Sequence, residues 1–228
     1  MTRRERLRAE TAAEIKSVAL KLMYEGGPGA ISLRAIAREM GMTAGAIYGY
    51  FDTRDDLITA LIADLYNAFA DTLDAARAAE PEDDPAARII AHGLAFRRWA
   101  IDYPAEFRLV YGDPLPDYQP PEQSPAIEAE QRLCKGVADM VAAAWPRAAA
   151  MYAKDDFSWD DFTSVLAGLI REWHPELPPA GVALCLRVWG RLHGLVALEV
   201  YGHLRPHVTD PTKHYLAELH DLVRSLGL

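Results

Sequence analysis

Cysteine is scarce in this sequence: the 228 residues contain only Cys134 and Cys185, which form no C-x-x-C pair. This excludes a disulfide framework and favours a reducing compartment. No uninterrupted apolar run reaches transmembrane length, because Arg187 and Arg191 interrupt the stretch LCLRVWGRLHGLVALEV. The charged start, MTRRERLRAET, lacks the apolar segment of a secretory signal. We therefore expect a cytoplasmic protein with no membrane partner.

Catalytic and metal-binding motifs are also missing. The sequence has no G-x-S-x-G, no glycine-rich phosphate loop and no H-E-x-x-H. His203 and His207 have the spacing of a metal pair, but Pro206 interrupts that helix. The acidic stretch KDDFSWDDF could bind a cation, but a solvated helix start explains it far better. We expect no enzyme, no cofactor and no metal site, and turnover of a substrate would contradict this.

The charge of the chain is unevenly distributed. The formal net charge is −9, yet residues 1–54 carry nine basic and six acidic side chains. A basic N-terminal segment followed by an acidic remainder favours an anionic partner for the first segment. Charge alone leaves open a surface that is uneven by chance.

Period-2 alternation is not sustained anywhere, so the pattern predicts an all-α fold. We expect a helix-turn-helix domain over 1–54 and a helical-bundle domain over 55–228, joined by a long helix at about 53–79. Proline-rich sequence predicts a loop over 113–125. The later helices are expected from KDDFSWDDF to Trp173, at about 180–204 and at about 211–226.

The N-terminal segment has the spacing of a helix-turn-helix. Ser32 is a natural N-cap for LRAIAREM, Gly41 ends that helix, and Thr43 can cap AGAIYGYF. Two short helices joined by about three residues, behind a longer first helix, make this motif.

The second short helix has one face with almost no side chains. Ile47 and Phe51 can point to the core, whereas Ala44, Gly45 and Gly49 lie beside Tyr48. Glycine costs about 1 kcal/mol against alanine inside a helix, so this face suits close approach of another body. The DNA major groove is such a body, with hydroxyls of Tyr48 and Tyr50 on phosphates. Tight packing against another helix is the alternative.

The stretch SLRAIAREMGMTAGAIYGYFDTRDDL resembles the DNA-binding segment of the tetracycline-repressor (TetR) family of bacterial transcriptional regulators. Two positions depart from the family: Tyr50 stands where it often has His, and Arg54 where it often has Lys. Positions 44, 45 and 49 offer no side chain for bidentate base contacts, so readout must use Arg34, main chain and DNA shape. The resemblance implies these DNA contacts: Arg34, Thr43, Ala44, Gly45, Tyr48, Tyr50 and Arg54.

The remainder of the chain resembles the C-terminal half of a TetR subgroup with a Trp…His-Gly pattern, here Trp189, His193 and Gly194. The resemblance implies a pocket for a small-molecule effector between helices. Each aromatic side chain has ordinary core packing as its alternative. The candidate pocket residues are Phe96, Trp99, Tyr103, Phe107, Trp173, Trp189 and His193.

The resemblance also implies a homodimer through the last two helices. Gly190 and Gly194, four residues apart, would permit close helix approach. Packing within one subunit is the alternative, but two-fold symmetry suits a palindromic operator. The candidate interface residues are Leu184, Val188, Leu195, Leu198, Leu219 and Leu222.

Together these features predict a repressor that binds a palindromic operator in double-stranded DNA as a homodimer and is released by an effector. The effector would favour a conformation that spoils the spacing of the two recognition helices. The basic tip RRERLR could reach phosphates or a minor groove, or fray in solvent. A helical module that binds protein is the rival class, and steep salt dependence would identify DNA binding.

Overall fold

The computed structural model describes residues 2–112, 115, 117–121 and 124–228, so part of the predicted 113–125 loop lies outside them. Within those ranges the chain is helical with no strand, and the all-α prediction is confirmed. The described residues form ten α-helices: α1 (Arg3–Gly26), α2 (Leu33–Glu39), α3 (Ala44–Tyr48), α4 (Arg54–Ala78), α5 (Pro85–Asp102), α6 (Pro104–Tyr111), α7 (Pro125–Ala148), α8 (Ser164–Trp173), α9 (Pro179–Val200) and α10 (Pro211–Ser225).

The chain forms two compact units. The head unit contains Met1–Asn67 and Tyr103–Glu130, and the body unit contains Ala68–Asp102 and Gln131–Leu228. The division falls within α4 and α7. The predicted domains follow sequence order, whereas these units follow packing, which returns residues 103–130 to the first unit. The domain boundaries 1–54 and 55–228 remain a prediction.

Local capping determines the helices at the start of the head unit. Ser32 Oγ accepts a hydrogen bond from Ala35 N at 3.1 Å, and Thr43 Oγ1 accepts one from Ala46 N at 3.2 Å. Between them Gly41 takes φ of +64°, a conformation that favours glycine. The turn between α2 and α3 therefore follows from residues inside the turn itself.

The head unit has one apolar core that α1 to α4 share with α6. Ile15, Ile36, Ile47 and Leu57 are fully buried in it, as their helical spacing requires. Leu109 of α6 joins the same core. Phe51 is only partly buried but packs against this cluster.

Polar contacts also hold α6 within the head unit. Tyr24 on α1 donates a hydrogen bond to the buried carboxylate of Glu106 on α6. Partial burial and this bond raise the pKa of Tyr24, which keeps the phenol neutral and able to donate. Tyr66 on α4 donates to the carbonyl of Val110 at 3.3 Å. These contacts join segments that lie far apart in the sequence.

The body unit is built around α5, α9 and α10. A Cβ added to Gly93 on α5 would lie 2.4 Å from Leu219 on α10, so α5 and α10 approach closely there. Arg97 donates two hydrogen bonds to Glu199, each 2.7 Å long, and connects α5 to α9. Tyr215 Oη donates to the carbonyl of Leu192 at 2.9 Å and connects α10 to α9.

Two predicted helix limits differ from the structure. The acidic stretch before Trp173 forms a short 3-10 helix, Trp159–Asp161, because Asp161 accepts hydrogen bonds from the backbone and hydroxyl of Ser158. α8 then begins at Ser164, after the capping residue Thr163. α9 ends at Val200 rather than near 204, because Gly202 adopts φ of +81°.

Candidate nucleic-acid interface and ligand site

The short helix α3 presents the predicted side-chain-poor face. Ile47 is fully buried, which turns Ala44, Gly45 and Tyr48 toward solvent. Tyr48 is 46% exposed, although tyrosine buries a large area when it packs in a core. A Cβ added to Gly45 meets no atom within 4 Å. In the head unit, therefore, the open space at Gly45 serves no internal packing.

Arg34 and Thr43 lie on the exposed parts of the same motif. Arg34, on the surface of α2, forms no ion pair with any residue that the structure describes. Thr43 caps α3 through its hydroxyl and stays exposed. Both side chains lie where a DNA strand beside α3 could meet them.

Arg54 has a structural role that the sequence pattern did not predict. Its Nε donates to the carbonyl of Ile31 at 2.8 Å, and its Nη1 lies 3.7 Å from a carboxylate oxygen of Asp55. Asp56 forms the reciprocal cap of α4: it accepts from Thr53 N at 3.0 Å, and Thr53 Oγ1 accepts from Asp56 N at 3.0 Å. Asp55 and Asp56 therefore have structural roles at the start of α4.

The start of α1 is ordered by a capping box that our sequence analysis missed. Thr2 Oγ1 accepts from Glu5 N at 3.2 Å, and Glu5 accepts from Thr2 N at 2.7 Å. The pattern Thr-x-x-Glu in the first five residues was the available signal. Arg8 then reaches the end of α3, where its Nη2 donates to the carbonyl of Gly49 at 2.6 Å.

The predicted pocket residues divide between the two units. Tyr103 and Phe107 belong to the head unit, where Tyr103 is exposed and Phe107 is fully buried with its ring 5.3 Å from that of Tyr111. The body unit contains the other five. Of these, Trp173 is half-buried and Trp189 is exposed.

In the body unit, Phe96 and Trp99 form an aromatic core with Phe69. The ring of Trp99 stacks on Phe69 at 4.2 Å, and the ring of Phe96 meets Phe69 edge-on at 5.2 Å. The ring centre of His193 lies 6.2 Å from that of Phe96 and 5.7 Å from that of Trp189. His193 therefore stands between a buried ring and an exposed one. Phe96 and Trp99 are therefore buried in the single chain, and their predicted place in the pocket stays a prediction.

A polar cleft of about 390 Å³ opens elsewhere in the body unit. Arg77 is the buried cation of this cleft, paired with Asp74. Its Nη1 lies 2.7 Å from Nδ1 of His92. Because a guanidinium can only donate, Nδ1 is the acceptor and the ring proton of His92 is on Nε2. A Cβ on Gly136 would lie 2.7 Å from that Nη1, so glycine lets the guanidinium cross α7. The cleft is lined by Asp74, Arg77, Glu82, Pro85, Arg88, Asp139, Met140 and Ala143.

The burial of His92 makes the free energy of unfolding depend on pH. His92 is 2% exposed, and its burial, followed by the neighbouring charge of Arg77, lowers its pKa to about 3. His92 therefore takes up a proton near pH 6.5 in the unfolded chain but stays neutral at that pH in the folded chain. Stability from this group is complete above that pH and is lost as pH falls toward 3. Between pH 6.5 and 5, His92 should remove about 2 kcal/mol from the free energy of unfolding.

We expect His92→Gln to remove this part of the pH dependence. Urea unfolding at constant protein concentration, from pH 7.5 to 5, measures the slope for each variant. The matched control is His203→Gln, which changes an exposed histidine and should keep the wild-type slope. Equal slopes for His92→Gln and the wild type would show that His92 does not have a lowered pKa.

The exposed face of α9 is unusually apolar. Its exposed apolar side chains lie in two rows along the helix, with positions four residues apart within each row. One row includes Trp189, which is 45% exposed, and the other includes Leu198, which is 42% exposed. A Cβ at Gly190 or Gly194 meets no atom within 4 Å. By length and composition alone α9 is apolar enough to cross a membrane. Its most apolar segment of 18 residues has a mean hydropathy of 1.3, and 44% of that segment is buried inside the protein. The other exposed apolar residues of this face are Leu186 and Tyr201.

Burial separates the predicted dimer residues into two groups. Leu195 is half-buried and Leu198 is exposed, so both can meet a partner. The other four are buried in the core of the single chain, so their predicted place in the interface stays a prediction. These four are Leu184, Val188, Leu219 and Leu222.

A capped α2–turn–α3 unit with an open face at Gly45, packed on a longer first helix, defines a helix-turn-helix DNA-binding protein. Comparison with known proteins agrees. The family model described as "Bacterial regulatory proteins, tetR family" matches residues 15–61. The model described as "Tetracyclin repressor-like, C-terminal domain" matches residues 89–222.

Similar proteins cover nearly the whole chain. It is 31% identical to HTH-type transcriptional regulator Rv1816 of Mycobacterium tuberculosis, over 99% of this chain and 96% of that protein. It is 34% identical to the solved structure of regulatory protein SCO4313, with a TM-score of 0.75 over 97% of this chain and 98% of that one. HTH-type transcriptional regulator TtgR of Pseudomonas putida matches over 85 residues at 39% identity, 37% of this chain and 39% of that protein.

The chain belongs to the TetR family of bacterial regulatory proteins. It is a DNA-binding transcriptional regulator and not an enzyme. Regulators of this family bind DNA, form dimers and bind small-molecule ligands.

Proposed function

We propose that this protein is a cytoplasmic repressor that binds a palindromic operator as a homodimer and is released by a small-molecule effector. The observation that carries the DNA-binding part is the open face of α3 at Gly45, beside the exposed ring of Tyr48. Because no described atom of the head unit fills this space, the backbone of α3 is accessible to a major groove.

Each predicted DNA contact has a role that suits its position. Ala44 and Gly45 face the groove, and the methyl group of Ala44 can meet a thymine methyl. Arg34 reaches a base edge or a phosphate from α2. Hydroxyls contact phosphates without reading sequence, and the N–H groups near Thr43 add a further phosphate contact. The hydroxyl contacts are Thr43, Tyr48 and Tyr50.

Arg54 keeps its predicted phosphate contact in a reduced form. Its Nε is occupied by the carbonyl of Ile31, so only the outer guanidinium nitrogens remain for DNA. We therefore assign Arg54 mainly to holding the start of α4 against the segment before α2, with its charge directed at the DNA backbone.

A second copy of the chain is the partner proposed for the exposed face of α9. Glycine at 190 and 194 lets a partner helix approach closely, and the surrounding Leu198, Trp189 and Tyr201 would gain burial. Two-fold pairing would place two recognition helices one DNA turn apart, about 34–36 Å, which is the geometry of a palindromic site.

The effector is proposed to bind in the body unit. The polar cleft at Arg77 has a volume typical of small-molecule sites and combines charged groups with apolar Met140 and Ala143. The predicted effector contacts of this unit that are not fully buried are Trp173, Trp189 and His193. An effector that binds better to a conformation unfit for the operator would release the protein from DNA.

Selection of binding sites from random duplex DNA tests this function. We expect purified protein to enrich one palindromic sequence at two salt concentrations, with binding that weakens steeply as salt rises. Tyr48→Ala and Arg34→Ala should lose the enrichment. Transcription of the genes beside the selected site is then measured with and without the protein, and a rise on deletion indicates a repressor. The products of those genes point to candidate effectors. No enriched site, with a protein partner retained at high salt, would favour a helical interaction module instead.

A further inference from the structure

A concave surface of about 530 Å³ lies between the start of α1 and the segment that follows α3. It belongs entirely to the head unit and holds no acidic side chain among its lining residues. Its lining consists of Arg3, Arg4, Leu7, Arg8, Thr11 and Tyr50. We name it the α1 groove.

Arg8 connects this groove to the recognition helix. Its Nη2 donates to the carbonyl of Gly49, the C-cap residue of α3, at 2.6 Å. Its guanidinium carbon lies 5.1 Å from the centre of the Tyr50 ring, within range of a cation–π contact. One side chain therefore holds both the end of α3 and the ring of Tyr50 in register with the start of α1.

Arg3 and Arg4 keep their charges free. Both are exposed, and neither forms an ion pair with any residue that the structure describes. The two nearest acids in sequence are engaged elsewhere, since Glu5 caps Thr2 and Glu10 lies 3.7 Å from Arg6. The capping box at Thr2 keeps this turn helical, so both cations are presented from an ordered backbone rather than a frayed end.

We propose that the α1 groove is a second DNA contact that holds the phosphates of the strand beside α3. This proposal rests on the proposed DNA-binding function. Arg3 and Arg4 contact phosphates, and Arg8 is a positioning residue that orients Tyr50 toward the same strand. Two unpaired guanidinium groups beside the partly buried Tyr50 suit phosphate oxygens, which accept hydrogen bonds from guanidinium and from the phenol. Such contacts add affinity without reading sequence.

The double variant Arg3→Ala/Arg4→Ala tests the phosphate contacts. Affinity for the selected site and for unrelated duplex DNA is measured by fluorescence anisotropy between 50 and 200 mM salt. The slope of log K against log salt is negative, and each lost phosphate contact makes it less steep by about 0.9. We expect a loss of about two contacts per protomer and an equal fold-loss on both DNAs. The control Arg98→Ala/Arg147→Ala removes two exposed cations of the body unit and should keep the wild-type slope.

Arg8 is tested by the ratio of affinities for the selected site and for unrelated DNA. We expect Arg8→Ala to lower this ratio about tenfold, because Tyr50 and the end of α3 lose their register. Arg8→Lys keeps the positive charge but should restore the ratio only in part, since an ammonium lacks the planar group that stacks on Tyr50. Circular dichroism melting of each variant reports whether the head unit stays folded.

The outcomes distinguish this inference from the proposed function. A wild-type protein that binds its selected site, with an unchanged salt slope in Arg3→Ala/Arg4→Ala, overturns the α1 groove alone. A wild-type protein that enriches no DNA site overturns both. A loss confined to the selected site would also overturn the groove as proposed, because phosphate contacts must weaken both DNAs equally.

Discussion

Gly45→Glu abolishes specific DNA binding and leaves the head unit folded: this is the result we expect first. Glutamate at position 45 fits the open space around Gly45 and lies in the first turn of α3, where a negative charge suits a helix N-terminus. In a DNA complex the same carboxylate would face phosphates and base edges. Like-charge placement of this kind costs several kcal/mol, so affinity should fall by at least about 100-fold.

The measurement is the affinity for the selected site together with the melting temperature. Gly168→Glu is the matched control, since Gly168 is also helical, exposed and without neighbours around an added Cβ. It introduces the same charge into α8 of the body unit and should bind DNA like the wild type. If Gly45→Glu kept its affinity, α3 would not be the helix that enters the groove.

The second large effect is expected at the proposed dimer face. A Cβ at position 190 meets no described atom within 4 Å, and arginine has a higher helix propensity than glycine, by up to about 1 kcal/mol. In a dimer with close helix approach, the same side chain would separate the two copies of α9. We expect Gly190→Arg to raise the dimer dissociation constant at least about 100-fold, with loss of binding to a palindromic site.

Analytical ultracentrifugation over a range of concentrations measures this directly, and binding to half of the palindrome provides a second reading. A monomeric variant should bind the half-site as weakly as the wild type does. Gly168→Arg carries the same change on α8 and should remain dimeric. A fully dimeric Gly190→Arg protein would place the interface on another surface.

The helix-turn-helix could be predicted from the sequence because its determinants are local. Ser32 and Thr43 cap their helices through residues three positions away, and Gly41 makes the turn by its own backbone conformation. The buried position of Ile47 follows from helical periodicity, which in turn exposes Gly45. The caps and the turn depend on contacts within a few residues, and the choice of Ile47 as a buried position follows from periodicity alone.

The body unit was harder to predict because α9 is apolar on both faces. Periodicity shows a helix there but gives no sign of which face lies in the core. The structure buries Val188 and Leu184 in the chain and leaves Leu198 outside, although all three are aliphatic residues of one helix. Likewise, no local pattern places the rings of Phe96 and Trp99 against Phe69, because that packing joins α5 to α4.

The sequence by itself determined the all-α class, the capped DNA-binding motif and the family, since caps, turns and periodicity are properties of short segments. Only the tertiary structure decided that α6 packs in the head unit, that Arg77 meets His92, and that Arg8 reaches Gly49. Those contacts join residues that lie far apart along the chain, such as Tyr24 and Glu106. They depend on how whole helices pack, which no local pattern specifies.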